Sequence, residues 1–139
     1  KEIDSRYVNY NIFGNNAGNK YYAIPVPVNT AIPMEIHIAE GAFDILQVYM
    51  SVAPFGTNGV FMSIEGKSYI GLIKYIVMTY GFIGFNLHVY VDADISQKDI
   101  NMIKNEAYDL GVSCFIHRNA SPDQKDYGVS PDKIIDTII

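Results

Sequence analysis

Two carboxylates separated by one residue, Asp92-Ala93-Asp94, follow the apolar run Leu87–Val91. In extended chain, residues two apart point to the same side. Their charges then repel, and a divalent cation removes that cost. Mg²⁺ is commonly held by one or two carboxylates and completed by water and substrate phosphate. The competing reading is a solvated turn after a strand, with Asp94 capping the next helix. Glu40-Gly41 closes another short apolar run, with Asp44 one turn later. A glutamate there serves as a metal ligand or as a general acid–base group. Gly41 would let backbone or phosphate approach closely. Against this, Glu40 and Asp44 also complement a helix dipole. Lys125-Asp126 lies in the polar stretch Asn119–Tyr127. Asp126 is a candidate to join the acids, and Lys67, Arg118 and Lys125 are candidates to meet phosphate. Each of these, taken singly, is also an ordinary surface charge.

Other reactive types carry less. His37 and His88 fall inside apolar runs, where hydrogen-bonded packing is the better reading than ligation, and His117 closes such a run. Cys114 alternates with Phe115 and reads as core. The 11 tyrosines serve base stacking or packing equally well. No P-loop, GxGxxG or GxSxG pattern is present.

The elements that must position these residues follow from periodicity. Glu35–Ala39, Gly59–Ile64, Leu87–Val91 and Val112–His117 read as buried strands. Between them, Ala42–Val52 keeps helical spacing at Phe43, Leu46 and Met50, and Pro54 stops it. Lys67–Tyr80 is a very apolar helix ended by Gly81. Ser96–Leu110 has a capping pattern at Ser96 and Asp99, a stripe at Ile100, Ile103, Ala107 and Leu110, and Gly111 as its stop. Ser130-Pro131 predicts a short final helix carrying Ile134, Ile135 and Ile138. Residues 21–28 look extended, and Pro25 and Pro27 confine them to a sheet edge or to irregular chain. Strand–helix alternation with non-alternating strands predicts an α/β domain with a four-stranded, mainly parallel sheet flanked by helices. Ligands in such sheets bind outside the carboxyl ends of the strands. Glu40, Asp92, Asp94, Arg118 and Asn119 all fall at that rim.

Composition bounds the rest. The chain has 139 residues, 49% of them hydrophobic and 18% charged, which suits one globular domain and excludes disorder, collagen and coiled coil. One cysteine excludes a disulfide framework and a thiolate zinc cage. A net charge of −5 excludes a broad basic nucleic-acid surface, so phosphate contact must come from a local patch or from metal ions. The apolar stretch Ser68–Leu87 is nearly of membrane-spanning length, but Gly81 and Gly84 divide it into helix, turn and strand. No secretory signal opens the chain, and the start at Lys1 is that expected of a piece of a longer protein.

Three segments together resemble a known family. Ile38-Ala39-Glu40-Gly41-Ala42-Phe43-Asp44-Ile45-Leu46 is similar to the first toprim motif, a hydrophobic strand ending in Glu-Gly with Asp three residues on. Val89-Tyr90-Val91-Asp92-Ala93-Asp94 is similar to the second, a strand ending in DxD. Lys125-Asp126 resembles the element that often closes the domain. The likeness spans residues 34–139, and the ending from Ile116 to Val129 resembles primases of the bacterial and phage type, including prophage primase-like proteins. It implies a Rossmann-like toprim domain over 34–139, preceded by a lead-in over 1–33 that ends an earlier primase subdomain. It further implies Mg²⁺ or Mn²⁺ at Glu40, Asp44, Asp92, Asp94 and Asp126, with Glu40 catalytic. The reaction implied is ribonucleotide transfer in RNA primer synthesis on single-stranded DNA. Lys67, Arg118 and Lys125 would then meet phosphates. The implied partners are template DNA, ribonucleoside triphosphates and a replicative helicase, with no membrane, in the cytoplasm of a bacterial or phage-infected cell. Gly128 stands where primases usually carry a further acid, and the zinc ribbon and basic subdomain of a whole primase are missing. Activity is therefore expected to need neighbouring domains. A toprim nuclease or topoisomerase-like module and a non-catalytic interaction module are the alternatives. A response-regulator receiver fits poorly, because its acidic pair follows the first strand.

Overall fold

The runs MEIHIA and GVFMS are buried at nearly every position, the pattern of strands covered on both sides. The computed structural model describes residues 21–24, 26–29, 31–53, 58–66, 68–81, 84–119 and 136–138. Its elements are β1 (Tyr22–Ile24), β2 (Met34–Ala39), α1 (Ala42–Val52), β3 (Gly59–Ser63), α2 (Tyr69–Tyr80), β4 (Phe85–Val91), α3 (Gln97–Asp109), β5 (Ser113–Asn119) and β6 (Asp136–Ile138). They form one six-stranded sheet in the order β1-β3-β2-β4-β5-β6. The four central strands are mutually parallel, while β1 and β6 pair antiparallel at the two edges. The expected four-stranded parallel sheet is thus the centre of a larger, mixed one.

Three expectations change. Residues 22–24, placed in the lead-in and read as extended at a sheet edge or irregular, form the edge strand β1, so the edge reading holds and the sheet reaches back before Met34, with Tyr21 and Ala23 buried in its main core. Ile138, read as helical, lies on β6 in register with His117. Ile134 and Ile135, expected on the same helix, lie outside the described residues; the five β-branched residues of the sequence's last six (Ile134, Ile135, Thr137, Ile138, Ile139) suit a strand better than a helix. The helical stripe on α1 is also rotated. Ile45 and Val48 face the sheet, whereas Phe43 and Met50 are 66% and 48% exposed. With apolar residues at both phases of this helix, spacing alone did not select the buried one.

The helices divide between the faces. Leu72, Ile73 and Ile76 of α2 and Ile100 and Ile103 of α3 join Ile36, Ile38, Leu87, Val89 and Ile116 in the larger core. Ile45 and Val48 of α1 pack with Ala39, Phe61 and Tyr90 on the other face. Helix α3 starts and stops as its sequence requires. Ser96 Oγ accepts from the Asp99 N–H at 3.1 Å. At the other end, Gly111 (φ 73°) allows bonds from Val112 N–H to Ala107 C=O and from Gly111 N–H to Tyr108 C=O. Among the described residues no helix is long and apolar enough to cross a membrane. The apolar stretch Ser68–Leu87 divides into α2, ending at Tyr80, and β4, beginning at Phe85.

Candidate active site at the carboxyl rim

The first and third parallel strands in chain order, β2 and β4, are neighbours. The chain therefore leaves β2 toward β3 on one side, and β4 toward β5 on the other. At such a reversal the loops part and leave a crevice outside the carboxyl ends. Glu40 directly follows β2, and Asp92 directly follows β4. Both line a single cleft of about 230 Å³. Its remaining walls come from the N-terminal turns of α2 (Ser68, Tyr69, Ile70) and α3 (Asp99, Met102, Ile103), with Ile95 between. Two acids separated by 52 positions in sequence are thus brought to one opening by strand order.

Tyr69 reports the charge there. Its hydroxyl donates to the Tyr90 C=O at 3.3 Å. Burial above all, and then the charges of Glu40, Asp92 and Asp44, hold its phenol far above its usual range. It stays a neutral donor, and three rim carboxylates act on one point.

The remaining candidates are placed differently. Asp92 and Asp94 do not lie in extended chain. The Asp92 C=O accepts from the Ile95 N–H at 3.2 Å, which closes a turn, so alternation does not put the two side chains together. Asp92 lines the cleft, whereas Asp94 is exposed and does not. Ser96, rather than Asp94, caps α3. Asp44 uses Oδ2 to accept from the Gly41 N–H at 3.1 Å, closing the entry to α1. A Cβ on Gly41 would stand 3.3 Å from that oxygen, so this glycine makes room for the cap as well as for the turn. Arg118 pairs in register with Val91, one residue before Asp92, and its buried Nε has no hydrogen-bond partner among the described residues. An unmet guanidinium donor at this rim suits an anionic oxygen. Lys67, Lys125 and Asp126 lie outside the described residues.

Sequence reasoning missed Tyr69, Asp99 and Glu65. The first was hidden in an apolar helix, and the second was read only as a cap. Glu65 follows β3 at the same rim with φ 50°, a left-handed conformation costing on the order of 1 kcal/mol for a side chain other than glycine. Its N–H donates to the Glu40 C=O at 2.9 Å, and its Oε2 accepts from the Ser63 hydroxyl at 2.5 Å. Gly66, next to it, is also left-handed (φ 80°), and Glu65 carries no side-chain pattern that marks it in the sequence.

A second group of titratable side chains lies within the sheet. Phe61, His37, His88 and Phe115 form one cross-strand row, in register and stacked at centroid distances of 4.5, 4.9 and 5.3 Å. His37 Nδ1 meets the Tyr90 hydroxyl at 2.8 Å. His88 Nε2 is 2.6 Å from Glu35 Oε1, and its Nδ1 is 2.8 Å from His117 Nε2. With Glu35 as acceptor, neutral His88 carries its proton on Nε2, so His117 donates through its own Nε2. His37 and His88 pack and hydrogen-bond, as their mid-strand positions suggested, whereas His117, expected to close its strand, lies within β5, which runs on to Asn119.

The chain matches no known family profile, no curated protein and no solved structure.

The chemistry of the rim residues is the remaining guide to a metal. Among the described residues no three acids, histidines or cysteines converge closely enough to form a protein cage. Glu40 and Asp92 supply two hard oxygen donors in an open cleft. That set fits Mg²⁺ or Mn²⁺, which take one or two carboxylates and complete their shell with water and phosphate.

Proposed function

We propose that this chain is the metal-binding toprim domain of a primase-type nucleotidyltransferase, which adds ribonucleotides to an RNA primer on single-stranded DNA. The observation that carries this reading is the meeting of Glu40 and Asp92 in one cleft at the reversal of strand order. The resemblance of the segments around these two residues to toprim motifs gives the acids their chemistry.

In the reaction, a primer 3′-hydroxyl forms a bond to the α-phosphorus of a ribonucleoside triphosphate, and pyrophosphate leaves. Glu40 and Asp92 would hold Mg²⁺ or Mn²⁺, with Asp94, Asp44 and Asp126 in support. Bound there, the cation supplies positive charge for the oxygens that become more negative in the transition state. The protein's own part is mainly positioning. The ends of β2 and β4 are fixed by the parallel ladder, so the two carboxylates need little reorganisation. Tyr69 keeps its proton and adds no charge to the wall. Arg118 offers its guanidinium to phosphate oxygens, together with Lys67 and Lys125. Template DNA, ribonucleoside triphosphates and a replicative helicase are the proposed partners, in the cytoplasm of a bacterial or phage-infected cell.

Glu40→Gln in the parent protein tests this reading. Gln keeps the shape of Glu and loses its charge. Labelled ribonucleotide incorporation on single-stranded DNA should disappear, with thermal melting unchanged. Full incorporation by a folded variant would reject the role of Glu40. Plasmid nicking by the unmodified protein, without primer synthesis, would replace this reading with a toprim nuclease.

A further inference from the structure

Glu40 and Asp92 account for only part of the cleft lining. Apart from Ser68 and Asp99, its other lining residues are apolar: Tyr69 and Ile70 on α2, Ile95 in the turn after β4, and Met102 and Ile103 on α3. Met102 is the informative residue. The core stripe of α3 is Ile100, Ile103 and Ala107, and Met102 stands off it, 48% exposed and facing the cleft. Packing of the fold does not account for it there. A flexible thioether and a tyrosine ring lining one cleft suit a flat aromatic ligand.

Resting on the function proposed above, we propose that this apolar half of the cleft seats the nucleobase of the incoming ribonucleoside triphosphate, between Tyr69 and Met102. Size supports the assignment. A cleft of about 230 Å³ is smaller than the usual ligand pocket of about 300 Å³ or more. It has room for a base and part of a sugar, but not for a whole triphosphate. Charge sets the direction. Asp99 shares its helix face with Met102 and Ile103 and repels phosphate from that end. The triphosphate therefore lies toward Glu40 and Asp92, where a cation neutralises both sides.

Calorimetric titration of the 139-residue chain in Mn²⁺, with ATP and separately with tripolyphosphate, separates the two ideas. ATP should bind about tenfold more tightly than tripolyphosphate, the order expected when one base stacks on side chains. Met102→Glu should bring that ratio close to one, and Met102→Leu should keep it. Met102→Ala carries the same test if the glutamate variant does not fold. Equal binding of ATP and tripolyphosphate by the unmodified chain would overturn the base seat while leaving the metal–phosphate reading intact. An undiminished ratio in folded Met102→Glu would also overturn it. Binding of neither ligand would overturn both.

Discussion

The acidic cleft and the histidine row are built on the same two central strands, and they treat ionisable groups in opposite ways. Glu40 and Asp92 stand just beyond the ends of β2 and β4, where the ladder has stopped and solvent reaches them. His37 and His88 stand in the middle of the same strands, paired in register and stacked. Tyr90 belongs to both regions. Its C=O accepts from Tyr69 beside the cleft, and its hydroxyl meets His37 within the sheet. Position along a strand therefore decides what an ionisable residue does here. Mid-strand residues find their partners in adjacent strands and serve the fold, whereas Glu40 and Asp92 at the strand ends line an open cleft.

Substitutions in the row should cost stability most. Phe61 is fully buried at one end of the stack, so Phe61→Ala should lose about 3–5 kcal/mol in urea unfolding. A loss below about 1 kcal/mol would mean that the row is not a cooperative part of the core.

Acid should distinguish the two regions next. Burial first, and then the nearby His88 and His117, depress the His37 pKa from 6.5 to about 3. The unfolded chain binds this proton below about pH 6.5, and the native protein does not until about pH 3. Stability is then greatest above pH 6.5 and falls through that window, by up to about 1.4 kcal/mol per pH unit. Urea melts at pH 7 and pH 5 should show the loss, and His37→Phe should flatten it. An equal slope in that variant would place the acid sensitivity elsewhere.

A smaller effect is expected at the margin of the row. Glu35→Gln keeps an acceptor for His88 but removes its charge, and should cost about 1 kcal/mol at neutral pH. The smallest stability effect belongs to the cleft. Glu40→Gln and Asp92→Asn should each change unfolding free energy by less than about 0.5 kcal/mol. Mn²⁺ affinity, followed by water-proton relaxation, should nevertheless drop at least tenfold. A stability change like that of Phe61→Ala would make these acids structural and erase the contrast.

Strand–helix alternation, the four parallel strands and the ends of α3 were legible because each rests on local patterning: apolar runs, a serine cap and a glycine stop. The phase of α1 was not, since Phe43 and Ile45 are equally apolar and tertiary contact chooses between them. Glu40 and Asp92 were readable as rim residues because strand ends follow from the apolar runs that precede them. The separate placement of Asp94 was not readable, because it depends on a turn that one backbone hydrogen bond closes. Tyr69 was hidden for a different reason. Its importance comes from residues 29 and 23 positions away, and nothing local to the helix marks it. The Glu35–His88–His117 chain likewise comes from strand register, which no single segment contains.

The antiparallel flanks of the sheet bear on how the protein behaves in concentrated solution. A parallel four-stranded sheet alone would expose two long rows of unpaired backbone donors and acceptors, a template for another chain. Here each row is covered by a strand of only three residues, β1 against β3 and β6 against β5. Beyond β1 the sequence continues with Pro25 and Pro27, which have no N–H to offer a neighbour. Among the described residues, the sheet therefore ends at both sides in a short strand. For a chain that is 49% hydrophobic, such short flanks work against sheet-to-sheet polymerisation.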